Sequence, residues 1–131
     1  MKSWLRAATI AVCTTWLAAP AWAGEPLTRD ELEELVTDKT ADCRKEKDQS
    51  TCVTYFSPEG EVVQVLHDSG DRKEGRWFLD DSDRLCILWV GRIKPLCFVV
   101  SQDADGTYRM VKRDKHLSTI TGLRHGNADA L

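Results

Sequence analysis

The chain has 131 residues, of which 30% are charged, and its formal net charge is −3. This length suits a single domain with a modest hydrophobic core. The mildly acidic balance and the lack of a basic patch in the sequence argue against nucleic acid and against anionic membrane surfaces as partners.

The N-terminal residues have the pattern of a secretory signal. Lys2 and Arg6 are basic, residues 7–19 are mostly apolar, and Ala21 and Ala23 place small side chains where a signal peptidase cleaves. The apolar run is shorter than the roughly 20 residues that a transmembrane helix needs. We therefore predict cleavage after Ala23 and no membrane span.

Cleavage divides the chain into two parts. Residues 1–23 form the predicted signal peptide, and residues 24–131 form a single β domain held by disulfides. The signal carries two of the basic residues and none of the acidic ones, so the mature net charge is about −5. The expected location is the periplasm or the exterior of the cell.

The segment LTRDELEELVT has the features of a helix start. Thr28 and Glu31 fit a capping box. Leu32, Leu35 and Val36 then form a short apolar stripe on one face. A helix of this length is not stable alone in water, so it needs a surface to lie on.

Runs of alternating polar and apolar residues follow the helix and predict a mainly β fold. Turn-forming segments such as 58–60 and 103–106 separate the runs. Such short connections make neighbouring strands antiparallel. Because closure removes unpaired edges, we expect a small antiparallel meander or imperfect β-barrel of seven to eight strands with one short N-terminal helix. The strands are expected near 40–45, 51–57, 61–67, 74–79, 84–90, 95–102, 107–113 and 117–121.

The fifth predicted strand is apolar on both faces. Leu85, Ile87 and Trp89 alternate with Cys86 and Leu88. A strand of this kind needs cover on both sides. We expect one face to look into the barrel and the amphipathic helix to cover the other.

Four cysteines remain after removal of the signal: Cys43, Cys52, Cys86 and Cys97. An even number in an exported chain favours disulfides and allows three connectivities. Zinc and redox sites usually show a Cys-x-x-Cys spacing, which is lacking here. We predict the pairs Cys43–Cys52, across a polar turn, and Cys86–Cys97.

Strand parity supports the second pair. If Cys86 faces Cys97, residues 90–93 form the hairpin loop, and Pro95 falls at a position that needs no N–H donor. This loop would project Arg92, Ile93 and Lys94 from a rigid hairpin. Binding modules use such preorganised tips, although a simple solvated turn has the same composition. The three residues are therefore a candidate interaction tip.

Aromatic residues offer a second candidate site. Tyr55, Trp77, Trp89 and Phe98 could line the mouth of the barrel and bind a small apolar ligand. An eight-stranded barrel is, however, only wide enough for its own side chains to fill it. We expect these residues to form the core, and so expect a filled interior.

The sequence contains no recognised catalytic constellation. His67, His116 and His125 are not spaced for metal binding on one element, and no nucleophile or phosphate-loop motif is present. The acidic residues 80–83 supply too few ligands for a calcium loop and are expected to form a solvated turn. We therefore expect no catalytic residues, no metal and no cofactor.

Several short motifs together resemble those of a family of small exported proteobacterial proteins known only as a domain of unknown function. The resemblance covers most of the mature chain and implies export, but no reaction. The family pattern has an aspartate where this chain has Glu59, and Cys43 and Cys52 are additions to it. The resemblance is carried by Tyr55-Phe56-Ser57-Pro58-Glu59-Gly60, Gly75-Arg76-Trp77, Leu85-Cys86, Trp89, Cys97, Gly126-Asn127 and Leu131.

The motif Gly75-Arg76-Trp77 is also similar to the Gly-x-Trp motif of lipocalins. In lipocalins it lies near the start of the barrel, whereas here it falls in about the fourth predicted strand. The chain is also short for a lipocalin.

These observations favour a non-enzymatic binding or interaction module in the periplasm or outside the cell. Its partner is unknown, and another periplasmic protein is the candidate. One alternative within this class is an inhibitor of a secreted protease or lysozyme. A second alternative is a carrier of a small apolar ligand, which would require a cavity of several hundred Å³ inside the barrel.

Overall fold

The computed structural model describes residue 11 and residues 24–131, so the predicted signal peptide lies outside the described residues except at that one position. Among the described residues, no helix combines the length and the apolar character that crossing a bilayer requires. The elements are α1 (Arg29–Val36), β1 (Lys39–Lys45), β2 (Thr51–Phe56), β3 (Glu61–Leu66), β4 (Arg72–Leu79), β5 (Leu85–Trp89), β6 (Leu96–Gln102), β7 (Tyr108–Lys112) and β8 (Lys115–His125).

The eight strands form a closed antiparallel barrel in sequence order. This confirms the predicted mainly β fold with one short helix. The closing strand, β8, is longer than the predicted 117–121. It pairs with β7 along its first half and with β1 along its second half, so that Ser118 faces Met110 on one side and Lys45 on the other. The extra length gives β8 a ladder to both neighbours and leaves no unpaired edge.

The turn after β2 forms where Pro58-Glu59-Gly60 predicted it. Gly60 has a φ of 87°, a left-handed value that glycine adopts without steric cost. Its N–H donates to the carbonyl of Ser57 over 3.1 Å, and its own carbonyl accepts the N–H of Trp77 over 2.9 Å. The indole N–H of Trp77 donates to the same Ser57 carbonyl. The turn therefore positions Trp77.

Gly75 allows β4 and β5 to approach each other closely. It faces Trp89 in the ladder between these strands. A Cβ atom at position 75 would collide with the carbonyl oxygen of Leu88 and would lie 3.0 Å from Cα of Trp89. The glycine of the Gly75-Arg76-Trp77 motif thus has a packing role, because both obstacles belong to the backbone and cannot rotate away.

The predicted capping box begins α1. The hydroxyl of Thr28 accepts the N–H of Glu31 over 3.3 Å, and the carboxylate of Glu31 accepts the N–H of Thr28 over 3.1 Å. The acidic turn between β4 and β5 also holds this helix end. Asp83 accepts the N–H of Arg29 over 2.8 Å, and the Arg29 guanidinium lies 3.1 Å from Asp81. This turn contacts the helix, so part of it is not simply solvated.

The helix closes one end of the barrel, and the expectation that it covers an outer face of the fifth strand is wrong. Leu32 and Val36 are fully buried in the same cluster as the inward-facing residues Phe56, Val62 and Leu85. Two residues one helical turn apart present only a small apolar patch, which matches a barrel end better than a sheet face. On the outer face, Cys86 is buried, and Asp80 Oδ2 lies 3.8 Å from its sulfur.

The two predicted cysteine pairs lie at disulfide distance. Cys43 faces Cys52 in the ladder between β1 and β2, and Cys86 faces Cys97 in the ladder between β5 and β6. Strand alternation places the first pair in the barrel wall on the inner side and the second pair on the outer side. The polar turn at 46–49 is closed by a bond from Lys45 N–H to the Ser50 carbonyl.

The loop between β5 and β6 is longer than predicted. The expected loop was 90–93, but β5 ends at Trp89 and β6 begins at Leu96, so residues 90–95 lie outside the strands. The carbonyl of Trp89 accepts the N–H of Arg92 over 3.0 Å, and the ladder between β5 and β6 ends where Ile87 faces Leu96 instead of continuing to Lys94. The loop stands out from the end of the barrel opposite α1.

Candidate ligand-binding site

The end of the barrel opposite α1 opens into a cavity of about 1040 Å³. The expectation of a filled interior is therefore wrong at this end. The inward positions here are occupied by small residues such as Ala41, Thr54 and Ser118, or by lysines whose long side chains reach toward solvent. Because small residues occupy these positions, this end of the barrel keeps a cavity that is open to solvent.

The floor of the cavity is apolar. Five buried side chains form it, and they belong to the same core cluster that contacts the helix. The cavity therefore ends on the hydrophobic core, whose floor residues are only 1–7% exposed. The floor consists of Phe56, Ile87, Phe98, Met110 and Ile120.

The wall above the floor is moderately polar. The amide of Gln64 donates to the Thr54 hydroxyl over 3.0 Å, and this hydroxyl lies 3.4 Å from the sulfur of Cys43. Ser118 donates to the backbone carbonyl of Arg44 over 3.1 Å. These groups already have partners, so an apolar ligand portion can lie against them without leaving a buried polar group unpaired.

The mouth of the cavity is strongly cationic, and the inference from the sequence that no basic patch exists is wrong. Eight basic residues contribute to the lining, against the single acidic residue Glu74, which Arg72 pairs at 3.1 Å. The basic residues are far apart in the sequence, and only barrel closure brings them to one rim. They are Lys45, Lys47, Arg72, Lys73, Arg92, Lys94, Lys112 and Arg113.

Lys45 and Lys73 lie at the inner edge of this rim. Each has the strand parity of inward-facing residues, Cys43 on β1 and Gly75 on β4. The ammonium of Lys73 lies 5.9 Å from the ring of Trp89, where the apolar wall ends. The pKa of Lys45 is lowered, first by burial and then by the positive charge of Lys73.

The four predicted aromatic residues divide into two groups. Trp89 and Phe98 line the cavity. Tyr55 points outward because it alternates with Phe56, and its hydroxyl donates to Asp38 over 2.7 Å, which raises the pKa of Tyr55 to about 12. Trp77 faces inward but lies toward the helix end, where its ring meets Phe56 edge-on at 5.8 Å. Tyr55 and Trp77 are therefore not lining residues.

The predicted interaction tip lies on the same rim. Arg92, Ile93 and Lys94 all contribute to the mouth of the cavity. Ile93 is 94% exposed, and the neighbouring Val90 is 81% exposed. The interaction tip and the cavity therefore lie at the same end of the molecule, and the loop places two exposed apolar residues at the cavity rim.

Metal-binding geometry occurs once among the described residues. Asp80, Cys86 and Cys97 place one ligand atom each within 4.8 Å of one another, but the two sulfurs are paired with each other. A disulfide has no thiolate to offer a metal ion. This cluster therefore does not fit a metal while the disulfide is formed.

The histidines lie outside the cavity lining. His67 shares a hydrogen bond of 2.8 Å with the Thr51 hydroxyl. His116 contacts the Thr119 hydroxyl at 2.7 Å and lies 3.7 Å from Glu46, whose pKa is lowered mainly by its own bond from Thr119. The first contact is exposed at the turn after β3, and the second joins part-buried side chains of β8.

No protein-family model, curated protein or solved structure matches the chain. The geometry that bears on function is a small closed barrel that is plugged by a helix at one end and open to a cavity at the other.

Proposed function

We propose that this protein is an exported, non-enzymatic binding protein whose barrel holds a small ligand with an apolar portion. The observation that carries the proposal is the open cavity of about 1040 Å³ over an apolar floor. Ligand sites in proteins are typically concave, mostly apolar and about 300–1,000 Å³ in volume. The sequence alone left this carrier role as an alternative. The cavity favours it over an interaction module that has no internal ligand.

The proposal includes a periplasmic or secreted location. It is supported by the predicted signal at residues 1–23 and by the two cysteine pairs, since disulfides persist in oxidising compartments. Membership of the small exported family whose motifs the chain resembles is part of the same proposal.

Burial of the ligand's apolar surface would supply most of the affinity. At about 25 cal/mol per Å², 250 Å² of buried apolar surface is worth roughly 6 kcal/mol before the costs of association. Because those costs are several kcal/mol, an uncharged apolar ligand should bind only weakly without further polar contacts.

The first test uses N-phenyl-1-naphthylamine, a neutral probe that fluoresces in apolar surroundings. We expect the mature protein to bind it and Leu96→Trp to weaken binding at least about tenfold, equal to 1.4 kcal/mol. Leu96 lines the cavity, so the larger indole would occupy probe space. Fluorescence titration measures the affinity, and circular dichroism checks the fold.

Leu88→Trp is the matched control, because it makes the same substitution on the outer side of the neighbouring strand. It should leave probe affinity within about twofold, which is under 0.5 kcal/mol. Equal weakening by both variants, or no probe binding by the parent protein, would refute a ligand site inside the barrel.

The exposed rim supports a second candidate function, contact with a partner protein. An inhibitor of a secreted protease or lysozyme is one form of it. The supporting observation is that Ile93 and Val90 are almost fully exposed on a loop next to Arg92 and Lys94. Exposed apolar residues between charged ones are typical of interface residues before docking.

For this candidate, Arg92→Ala with Lys94→Ala should reduce capture of a periplasmic partner while leaving the melting temperature within about 2 °C, because both side chains are exposed. Mass spectrometry of the proteins that co-purify from periplasmic extract measures the capture. Arg76→Ala with Arg109→Ala removes two charges from exposed positions outside the rim and serves as the control. If the tip variant and this control capture the same proteins in equal amounts, the loop is only a turn.

A further inference from the structure

We infer that the ligand of the barrel carries an anionic head group, a carboxylate or a phosphate, which binds between Lys45 and Lys73 while its apolar portion lies on the cavity floor. This inference rests on the proposed function and specifies its ligand class. It follows from how charge is arranged around the cavity, which the volume alone does not reveal.

The cations at the mouth lack internal partners. Among the described residues, Arg72 is the only basic lining residue with a carboxylate within 4.0 Å, and the other seven have none. Of the eight described lysines and arginines outside the lining, by contrast, five are paired and three are not. The paired ones are Arg29, Arg44, Arg84, Arg109 and Arg124. Unpaired cations are thus concentrated at the opening.

This concentration is not a consequence of a basic chain. The whole sequence has a net charge of −3, so the positive rim exists against the overall balance. A cleft lined by one sign of charge with low-dielectric walls focuses its field and raises the local concentration of counter-ions. The rim therefore attracts anions in particular.

Lys45 and Lys73 are the best placed of these cations. Lys45 is partly buried at the inward end of β1, and Lys73 lies beside the ring of Trp89. The Lys73 ammonium is thus close to the apolar wall, and Lys45 lies near enough to Lys73 to be affected by its charge. A head group held between them would leave its chain directed toward Phe98 and Met110, which are buried deeper in the same cavity.

The electrostatic surroundings of Lys45 favour an anion. Burial and the charge of Lys73 lower the pKa of Lys45, Lys47 lowers it further, and Asp48 acts in the opposite direction. An anion between the two lysines would screen their repulsion and accept charge-assisted hydrogen bonds from both. Binding would therefore raise the pKa of Lys45 toward its ordinary value.

The experiment compares three ligands with the same alkyl chain: decanoate, decyl phosphate and decanol. Each is titrated against N-phenyl-1-naphthylamine bound to the mature protein. We expect at least one of the two anions to displace the probe at a concentration about tenfold or more below that of decanol. The affinity of that anion should also fall as the pH is raised into the alkaline range, because Lys45, whose pKa is lower than that of an ordinary lysine, then loses its charge.

Lys45→Gln with Lys73→Gln should remove this preference. The ratio of the variant's affinity for the preferred anion to its affinity for decanol should fall about tenfold or more. Arg76→Gln with Lys115→Gln is the control, because it removes two cations from exposed positions outside the lining. It should preserve the preference, which shows that the effect is local.

The outcomes separate this inference from the proposed function. If the probe binds but decanol competes as well as both anions, or the lysine variant keeps its preference, the head-group inference is wrong and the apolar site remains. If the probe itself does not bind, the proposed function fails first. Preference for decanoate alone or for decyl phosphate alone identifies the head group and supports the inference.

Discussion

Reducing both disulfides should lower the melting temperature by about 20 °C. The pairs close short loops, with sequence separations of 9 and 11 residues. In the chain-entropy treatment each such loop is worth about 3 kcal/mol. A domain of this size has a total stability of about 5–15 kcal/mol, so losing both crosslinks removes a large share of it. Thermal unfolding followed by circular dichroism, with and without reductant, measures the change.

Single-pair variants assign the effect to each crosslink. Cys86→Ser with Cys97→Ser and Cys43→Ser with Cys52→Ser should each cost about 3 kcal/mol. Cys43 also contributes to the cavity wall, so only the second variant should alter affinity for the neutral probe. Four alkylatable thiols in the native purified protein would contradict the pairing, as would a melting temperature that reductant leaves unchanged.

Leu32→Ala should destabilise the domain by about 3 kcal/mol, because it leaves a void where a fully buried side chain joins the helix to the barrel core. The melting temperature should fall by about 12 °C. Urea denaturation followed by tryptophan fluorescence gives the free energy of unfolding.

Glu33→Ala, on the exposed face of the same helix, is the control. It should cost less than about 0.5 kcal/mol, because surface substitutions away from special features have small effects. Equal costs for the two variants would mean that the helix does not close the barrel end. Loss of the helix without loss of the barrel would lead to the same conclusion.

Much of the fold could be predicted from local sequence patterns. Hydrophobic pattern and turn residues located all eight strands, although β8 extends beyond the predicted 117–121, and the turn at Gly60 lies where its residues predicted it. The cysteine pairs followed from counting residues across a hairpin, because facing positions in an antiparallel ladder have a constant sum. The capping box at Thr28 is also a local feature, satisfied within one turn of helix.

The loop after Trp89 could not be predicted by counting facing residues across the hairpin. Parity alone allowed the ladder to continue to Lys94. In the structure the carbonyl of Trp89 accepts the Arg92 N–H, and residues 90–95 leave the sheet. Residues 90–95 are compatible with several turn geometries. Which geometry forms depends on where the flanking strands end against their neighbours.

The cationic mouth could have been found in part from the sequence. Lys45 and Lys73 continue the inward parity of Cys43 and Gly75, a signal present in the strand pattern. What the pattern could not show is that these lysines lie on one rim, since β1 and β4 are not neighbours in the sheet. The same holds for Lys112, which reaches the rim from β7.

The sequence by itself determined the strand content, the direction of neighbouring strands, the facing cysteines and the start of the helix. All of these depend on contacts between residues that are close along the chain or across one hairpin. Only the tertiary structure decided that Leu32 plugs one end, that the other end stays open and that the cations gather there. These features require the pairing of β8 with β1, a contact between the two ends of the domain whose register depends on all the strands between them.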